Sequence, residues 1–105
     1  MSGPRRGEIW WGEIEEVGRR PFLVLTRDAA IPVLHNLVCA PVTTTIRSIP
    51  SELALGESDG MPKQCVASMD NIRVIPKSRL VSRLAALPPY RMDELCLALR
   101  TAVEC

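Results

Sequence analysis

Short apolar runs separated by Gly, Pro and polar residues fill most of the chain, and apolar positions take helical spacing only near the C-terminus. Runs of this length bounded by turn residues are typical of β-strands. They predict longer strands over Gly7–Ile14, Pro21–Thr26, Leu34–Val42 and Gln64–Met69, and shorter ones at Glu52–Leu55, Arg73–Ile75 and Val81–Leu84. Because the second of these strands is almost wholly apolar, we expect both of its faces to be covered.

The last segment has the apolar spacing of an amphipathic helix. It follows Pro88 and Pro89, carries Asp93 and Glu94 in its first turn, where they suit the helix dipole, and has Arg100 near its end. The positions that repeat at helical spacing are Met92, Leu95, Cys96, Leu99, Ala102 and Val103. Strands followed by a closing helix predict an α+β fold, a small and mostly antiparallel β-barrel or sandwich with a C-terminal amphipathic helix.

Several connections carry more local expectations. Glu15–Arg19 is expected to be a polar loop, and Asp28 is expected to cap a helical turn over Asp28–Ile31. Pro41 lacks an N–H, which predicts an edge position or a bulge for the third strand. Most of Ser48–Pro62 is rich in Pro, Gly, Ser and acidic residues and is predicted to be a mobile loop.

Composition limits the class of protein. The chain has 105 residues, enough for one domain over residues 1–105, and its net charge of +1 argues against a general nucleic-acid coat protein. No signal-peptide apolar region or membrane-length apolar run is present, so we expect a cytoplasmic protein with no membrane partner. The four cysteines, including the terminal and presumed exposed Cys105, have no metal-binding spacing, which disfavours zinc.

Few residues offer recognisable chemistry. Gly-rich phosphate loops, nucleophile elbows and HExxH pairs are missing, and the single His35 has no motif around it and is expected to be structural or exposed. What remains is Arg19-Arg20 before one strand and the segment "PVTTTIR" after another. Arginine presents a charged fork that matches phosphate, and threonine hydroxyls can bond a phosphate oxygen. Such residues are more often ordinary charges at a strand end and threonines that favour β-structure. Alone, they therefore indicate no more than a candidate anion site.

Four segments in order carry a resemblance to a known family. "RRGEIWWGEI", "GRRPFLVLTRD", "LVCAPVTTTIR" and "VASMDNIRVIPKSRL" together resemble the MazF/PemK (Kid) family of bacterial toxins, whose members are typically metal-independent endoribonucleases. The resemblance implies an SH3-like barrel with a helix, acting as a homodimer on single-stranded RNA and neutralised by a cognate antitoxin. It implies neither a cofactor nor a metal. The expected reaction is attack of the 2′-hydroxyl on the adjacent phosphorus, giving a 2′,3′-cyclic phosphate and a 5′-hydroxyl.

The same resemblance implies roles for individual residues. The family's catalytic arginine before Pro corresponds to Arg20, its Thr or Ser partner to Thr43, and the Asp used by the PemK-like branch to Asp70. Asp70 is the better base if it lies near, because arginine keeps its proton; otherwise Arg20 acts mainly as an acid and a phosphate clamp. Further substrate contacts are expected from Arg19, Thr44, Arg47 and Ser68. The PemK-like branch has an arginine at the position of Ser68, so this chain differs from that branch there.

Two other classes of function remain as alternatives. A CcdB-like toxin with the same fold would poison DNA gyrase through protein contacts, and a degenerate family member would only sequester antitoxin. CcdB-like chains lack the Arg-Pro and Thr pairing, so Arg20-Pro21 together with Thr43 favours the nuclease.

Overall fold

The computed structural model describes residues 3–104, in which seven antiparallel strands curl around a core closed by a C-terminal helix. The elements are β1 (Glu8–Ile14), β2 (Gly18–Val24), β3 (Asn36–Thr43), β4 (Glu52–Leu55), β5 (Cys65–Ser68), β6 (Arg73–Pro76), β7 (Leu80–Ala86) and α1 (Met92–Val103). The strand order is β4-β5-β3-β2-β1-β7, with β6 paired to β3. The predicted α+β fold is confirmed as a curled half-barrel with a C-terminal helix.

Strand alternation sends neighbouring apolar residues into two separate cores. Leu23 and Ala40 face a core that α1 covers with Leu95, and we call this side of the sheet the helix face. Phe22 and Cys39 point the other way, into a second core on what we call the opposite face. The prediction that both faces of β2 are covered is therefore confirmed for its apolar end.

β3 lies inside the sheet, so the prediction of an edge strand or bulge at Pro41 is wrong. On one side β3 pairs with β2. On the other side it pairs first with β6 through Asn36–Cys39 and then with β5 through Val42 and Thr43. Pro41 falls where the neighbour changes from β6 to β5, which is a position that tolerates a residue without an N–H.

The first two connections also differ from expectation. β2 begins at Gly18 rather than at Pro21, because Gly18 and Arg19, expected to end the loop, pair with β1, as does Arg20. Asp28 does not cap a helical turn. Its carboxylate accepts a hydrogen bond from the backbone N–H of Arg6 at 2.7 Å, and the short 3-10 turn that follows has no side-chain cap.

The segment expected to be mostly loop contains β4, as predicted, and a 3-10 turn that is tied to the helix. Asp59 in this turn is buried and forms an ion pair with Arg91 at 2.7 Å. Arg91 also donates to the carbonyl of Ala54 and to Glu94, each at 2.9 Å. The hydrogen bond with Glu94 and the pairing with Asp59 raise the pKa of the Arg91 guanidinium, although burial acts in the other direction. Much of this segment is thus anchored to the start of α1.

None of the helices in residues 3–104 is long and apolar enough to cross a membrane. His35 is exposed, as expected, and Cys105 lies outside the described residues.

Candidate active site

Arg20 and Asp70, which are far apart in the chain, line one open groove of about 590 Å³ on the protein surface. Arg73 and Asn71 also line it, and its apolar wall consists of Val17, Phe22, Pro41 and Ile72. The groove therefore presents two guanidinium groups, one carboxylate and one amide beside an apolar surface. This charge pattern suits a phosphate group that must also exchange a proton.

Gly12 and Phe22 set the position of Arg20. The register of β1 and β2 places Gly12 beside Arg20 and Trp10 beside Phe22, so Arg20 shares the opposite face with the Phe22 ring. A Cβ atom on Gly12 would lie 2.7 Å from Cδ2 of Phe22, which shows that the ring packs directly over this glycine. Phe22 is buried and forms part of the groove wall, while Arg20 stays exposed at its rim.

Thr43 lies at the position on β3 that faces Arg20 by register. The β2–β3 pairs are Phe22 with Pro41, Leu23 with Ala40 and Val24 with Cys39, so one more step of two residues would pair Arg20 with Thr43. That pair does not form, since the pairing of β2 with β3 ends at Phe22 and Pro41, although β3 continues along β5 on its other edge through Thr43 and Val66. The two strands separate after Phe22 and Pro41, and the groove opens between them.

The Thr43 hydroxyl is oriented by its own backbone turn. Its Oγ1 accepts a hydrogen bond from the backbone N–H of Thr45 at 3.1 Å. A hydroxyl has one proton to donate, and that proton remains available when an oxygen lone pair is used in this way. The hydroxyl can therefore still donate to a phosphate oxygen, although Thr43 itself does not line the groove.

Asp70 and Asn71 belong to a 3-10 turn, Met69–Asn71, that follows β5. The buried Met69 side chain anchors the turn in the core of the helix face. The carboxylate of Asp70 accepts a hydrogen bond from the Ser51 hydroxyl. Asn71 donates from its amide nitrogen to Oγ of Ser68 at 2.8 Å. The polar side chains that line the groove, Asp70 and Asn71, are thus each hydrogen-bonded to a buried serine.

The other residues expected to contact substrate lie away from the groove. Arg19 is on the helix face, 5.2 Å from the centroid of the Trp11 ring, and donates to Oγ of Ser82 at 3.2 Å. Ser68 is only 5% exposed, so it lies behind Asn71 and not at the groove surface. The structure does not bring either residue together with Arg20.

Thr44 and Arg47 are exposed in the connection between β3 and β4. This connection is held by Glu52, whose Oε1 accepts hydrogen bonds from the backbone N–H groups of Arg47 and Ser48 at 3.0 and 3.1 Å. Both residues follow Thr43 in the chain, and neither lines the groove.

Sequence reasoning missed Arg73, Asn71 and Ser51. Asn71 and Arg73 lie in the segment "SMDNIR", in which the family resemblance points only to Asp70. Ser51 had no signal of its own, since its contact with Asp70 depends on how β4 and β5 pair. Within residues 3–104, no three His, Cys, Asp or Glu side chains are grouped as a metal site requires.

Comparison with protein-family models gives one match over residues 5–103, to the PemK-like, MazF-like toxins of type II toxin–antitoxin systems. Among individual proteins, the chain is similar to the probable endoribonuclease MazF5 of Mycobacterium tuberculosis (strain ATCC 25618 / H37Rv). The two are 47% identical over 103 residues, which cover 97% of this chain and 94% of the relative.

Solved structures agree with this similarity. An endoribonuclease from a mycobacterial species superposes with a TM-score of 0.85 at 30% identity, covering 99% of this chain and 94% of the other. A mycobacterial endoribonuclease in complex with its cognate antitoxin gives a TM-score of 0.86 at 30% identity, covering 97% and 96% of the two chains.

Proposed function

This chain belongs to the PemK-like, MazF-like toxins of type II toxin–antitoxin systems, and we propose that it is an endoribonuclease that cuts single-stranded RNA with Arg20, Thr43 and Asp70. The family predicted from the four sequence segments is thereby confirmed. The observation that carries the assignment of residues is the groove, which joins Arg20 to Asp70 and opens at the point where β2 and β3 separate beside Thr43.

The proposed reaction needs no nucleophile other than the RNA. The 2′-oxygen forms a bond to the adjacent phosphorus, the bond from phosphorus to the 5′-oxygen breaks, and the products are a 2′,3′-cyclic phosphate and a 5′-hydroxyl. Charge accumulates on the non-bridging oxygens in the transition state. Fixed donors aimed at that charge accelerate the reaction because they need little reorganisation when it develops.

Each of the three residues has one task in this scheme. Arg20 holds the non-bridging oxygens with its guanidinium, and the Thr43 hydroxyl donates to one of them. Asp70 accepts the proton of the 2′-hydroxyl, because an arginine side chain keeps its proton and is a poor base. A water molecule supplies the proton that the departing 5′-oxygen requires.

We also propose the partners that the family implies, a second copy of the chain and a cognate antitoxin. The complex of a mycobacterial relative with its cognate antitoxin supports the second of these. Light scattering over a range of concentrations tests the homodimer, and a persistent monomer would contradict it. A CcdB-like action on DNA gyrase is not favoured, because the close relatives are named endoribonucleases.

The function is tested by incubating the protein with a mixed pool of single-stranded RNA in EDTA and sequencing the 5′ ends of the products. Arg20→Ala is the test variant, and Arg100→Ala, an exposed arginine on α1, is the matched control. Cuts at one short motif in the wild type and the control, lost in Arg20→Ala, are the expected result. A folded wild type that cuts nothing, or an active Arg20→Ala, would overturn the proposal.

A further inference from the structure

The Asp70 carboxylate stands in a groove with two competing cations. Arg20 and Arg73 line the same groove, and Asp70 itself is exposed on a short turn. A flexible carboxylate beside guanidinium groups tends to form a bidentate pair with one of them. Such a pair would occupy both the oxygen that takes a proton and the donors that bind phosphate. A site that uses both groups therefore needs something that holds them apart.

Ser51 is the residue placed to do this. Within residues 3–104, its hydroxyl is the one hydrogen-bond donor to the Asp70 carboxylate. Ser51 is 7% exposed, so solvent does not compete strongly for this hydroxyl. The bond uses Oδ2 of Asp70, so the other carboxylate oxygen, Oδ1, can accept a proton from the substrate.

The backbone of Ser51 is fixed as firmly as its side chain. Its carbonyl accepts a hydrogen bond from the N–H of Met69 at 3.1 Å. The β4–β5 ladder begins next to it, where Glu52 pairs with Ser68. The same register extended by one residue puts Ser51 opposite Met69, directly before Asp70. The donor directly precedes β4 and the carboxylate lies in the turn that follows β5, so the pairing of these two strands sets their relative position.

We propose that Ser51 is a positioning residue that anchors the Asp70 carboxylate and keeps it from pairing with Arg20 and Arg73. This inference rests on the proposed function, since it assigns to Ser51 an effect on the proton transfer at Asp70. It predicts that Ser51 acts on the reaction only through Asp70. A residue that merely supported the fold would act whether or not Asp70 is present.

A double-mutant cycle separates these two roles. Ser51→Ala, Asp70→Asn and the double variant are compared with the wild type in single-turnover cleavage of one defined RNA oligonucleotide, with the rate and KM measured separately. Loss of a hydrogen bond to a charged group predicts a rate roughly 10- to 100-fold lower for Ser51→Ala, with KM little changed. In the Asp70→Asn background the same change should alter the rate less than about twofold, because coupled residues are not additive.

Ser51→Thr keeps the hydroxyl and is expected to retain most of the wild-type rate. If its extra methyl group unfolds the protein, Ser51→Cys takes its place as a size-matched variant with a weak donor, and its rate should fall between those of wild type and Ser51→Ala. Equal losses from Ser51→Ala in both backgrounds, or no loss in an active wild-type background, would overturn the inference alone. A folded wild type that fails to cut the RNA would overturn the proposed function and this inference with it.

Discussion

Arg19 and Arg20 are consecutive on β2 but project from opposite faces of the sheet. Arg19 lies over the Trp11 ring and bonds Ser82 on the helix face. Arg20 lies beside Gly12 and lines the groove that contains Asp70. Two side chains that look interchangeable in the sequence therefore have different surroundings, because successive residues of a strand alternate in direction.

This difference predicts unequal effects of the same substitution. Arg20→Ala should lower the cleavage rate by about 100- to 1000-fold, which is about 2.7–4 kcal/mol of transition-state stabilisation from one preorganised donor. Arg19→Ala should lower it much less, since its guanidinium is not in the groove. Single-turnover cleavage of a defined RNA by both variants measures the two effects. A larger loss from Arg19→Ala would place the reaction on the helix face instead.

Thr43 should matter through its hydroxyl and not through its shape. Thr43→Val keeps the branched side chain but removes both the bond to the Thr45 N–H and the proposed donor to phosphate. Its cleavage rate should fall about 10-fold, the value of one hydrogen bond of roughly 1.5 kcal/mol. Thr43→Ser keeps the hydroxyl and should stay within about threefold of wild type on the same principle. Comparable losses from the two variants would show that the hydroxyl is not used.

Periodicity predicted the elements well where burial follows the sequence. β1, β4 and α1 match the segments expected from their apolar spacing, because their buried faces recur along the chain. It failed for the start of β2, because Arg19 is held in the strand by backbone pairing with Glu13, which side-chain polarity does not reveal. It failed at Pro41 for a related reason. The change of neighbouring strand beside Pro41 depends on how the whole sheet is assembled, so the sequence of β3 alone does not reveal it.

The candidate site likewise has one part that the sequence predicts and another that only the fold shows. The family resemblance predicts Arg20, Thr43 and Asp70, and residue chemistry alone indicates only a candidate anion site near the first two. Only the fold shows how these residues lie relative to one another across separate strands. The extended β2–β3 register relates Arg20 to Thr43, and the β4–β5 ladder brings Ser51 to Asp70. Such relations depend on how separate strands align, so a linear pattern cannot show them.

Gly12 should be intolerant of even one added methyl group. In Gly12→Ala the new Cβ would lie 2.7 Å from Cδ2 of the buried Phe22, which must move. Overpacking of this kind typically costs about 1–3 kcal/mol in the free energy of unfolding. Because Phe22 forms a wall of the groove, the cleavage rate should fall as well.

Denaturant unfolding and cleavage assays measure both consequences. Gly56→Ala is the matched control, since a Cβ there would have no neighbour within 4 Å and the backbone is extended. Its unfolding free energy should stay within about 0.5 kcal/mol of wild type. Equal stability of the two variants would mean that Phe22 can move without cost.

Arg91 should be essential for stability because it neutralises a buried carboxylate. The Asp59 side chain is 1% exposed, and Arg91→Met would leave it without its ion-pair partner. Removing one member of a buried pair typically costs about 3–5 kcal/mol. Glu94→Gln weakens the other ion pair of Arg91 at an acidic side chain that is 57% exposed, and it should cost at most about 1 kcal/mol. Urea unfolding of both variants tests the contrast, and similar losses would indicate that Asp59 is solvated in solution.

Cys39 should make the protein lose stability at alkaline pH. Burial raises the pKa of its thiol from 9.0 to about 12. Above pH 9 the unfolded chain therefore releases this proton while the folded protein keeps it, so the contribution of the thiol is complete below pH 9 and falls as the pH rises toward 12. The slope reaches about 1.4 kcal/mol per pH unit from this group.

Cys65, whose pKa is raised by burial and by Asp59, acts in the same direction. Unfolding free energies measured from pH 7 upward should decline more steeply in the wild type than in Cys39→Ala, which lacks the contribution of this thiol. Parallel curves for the two proteins would show that the thiol ionises equally in the folded and unfolded states.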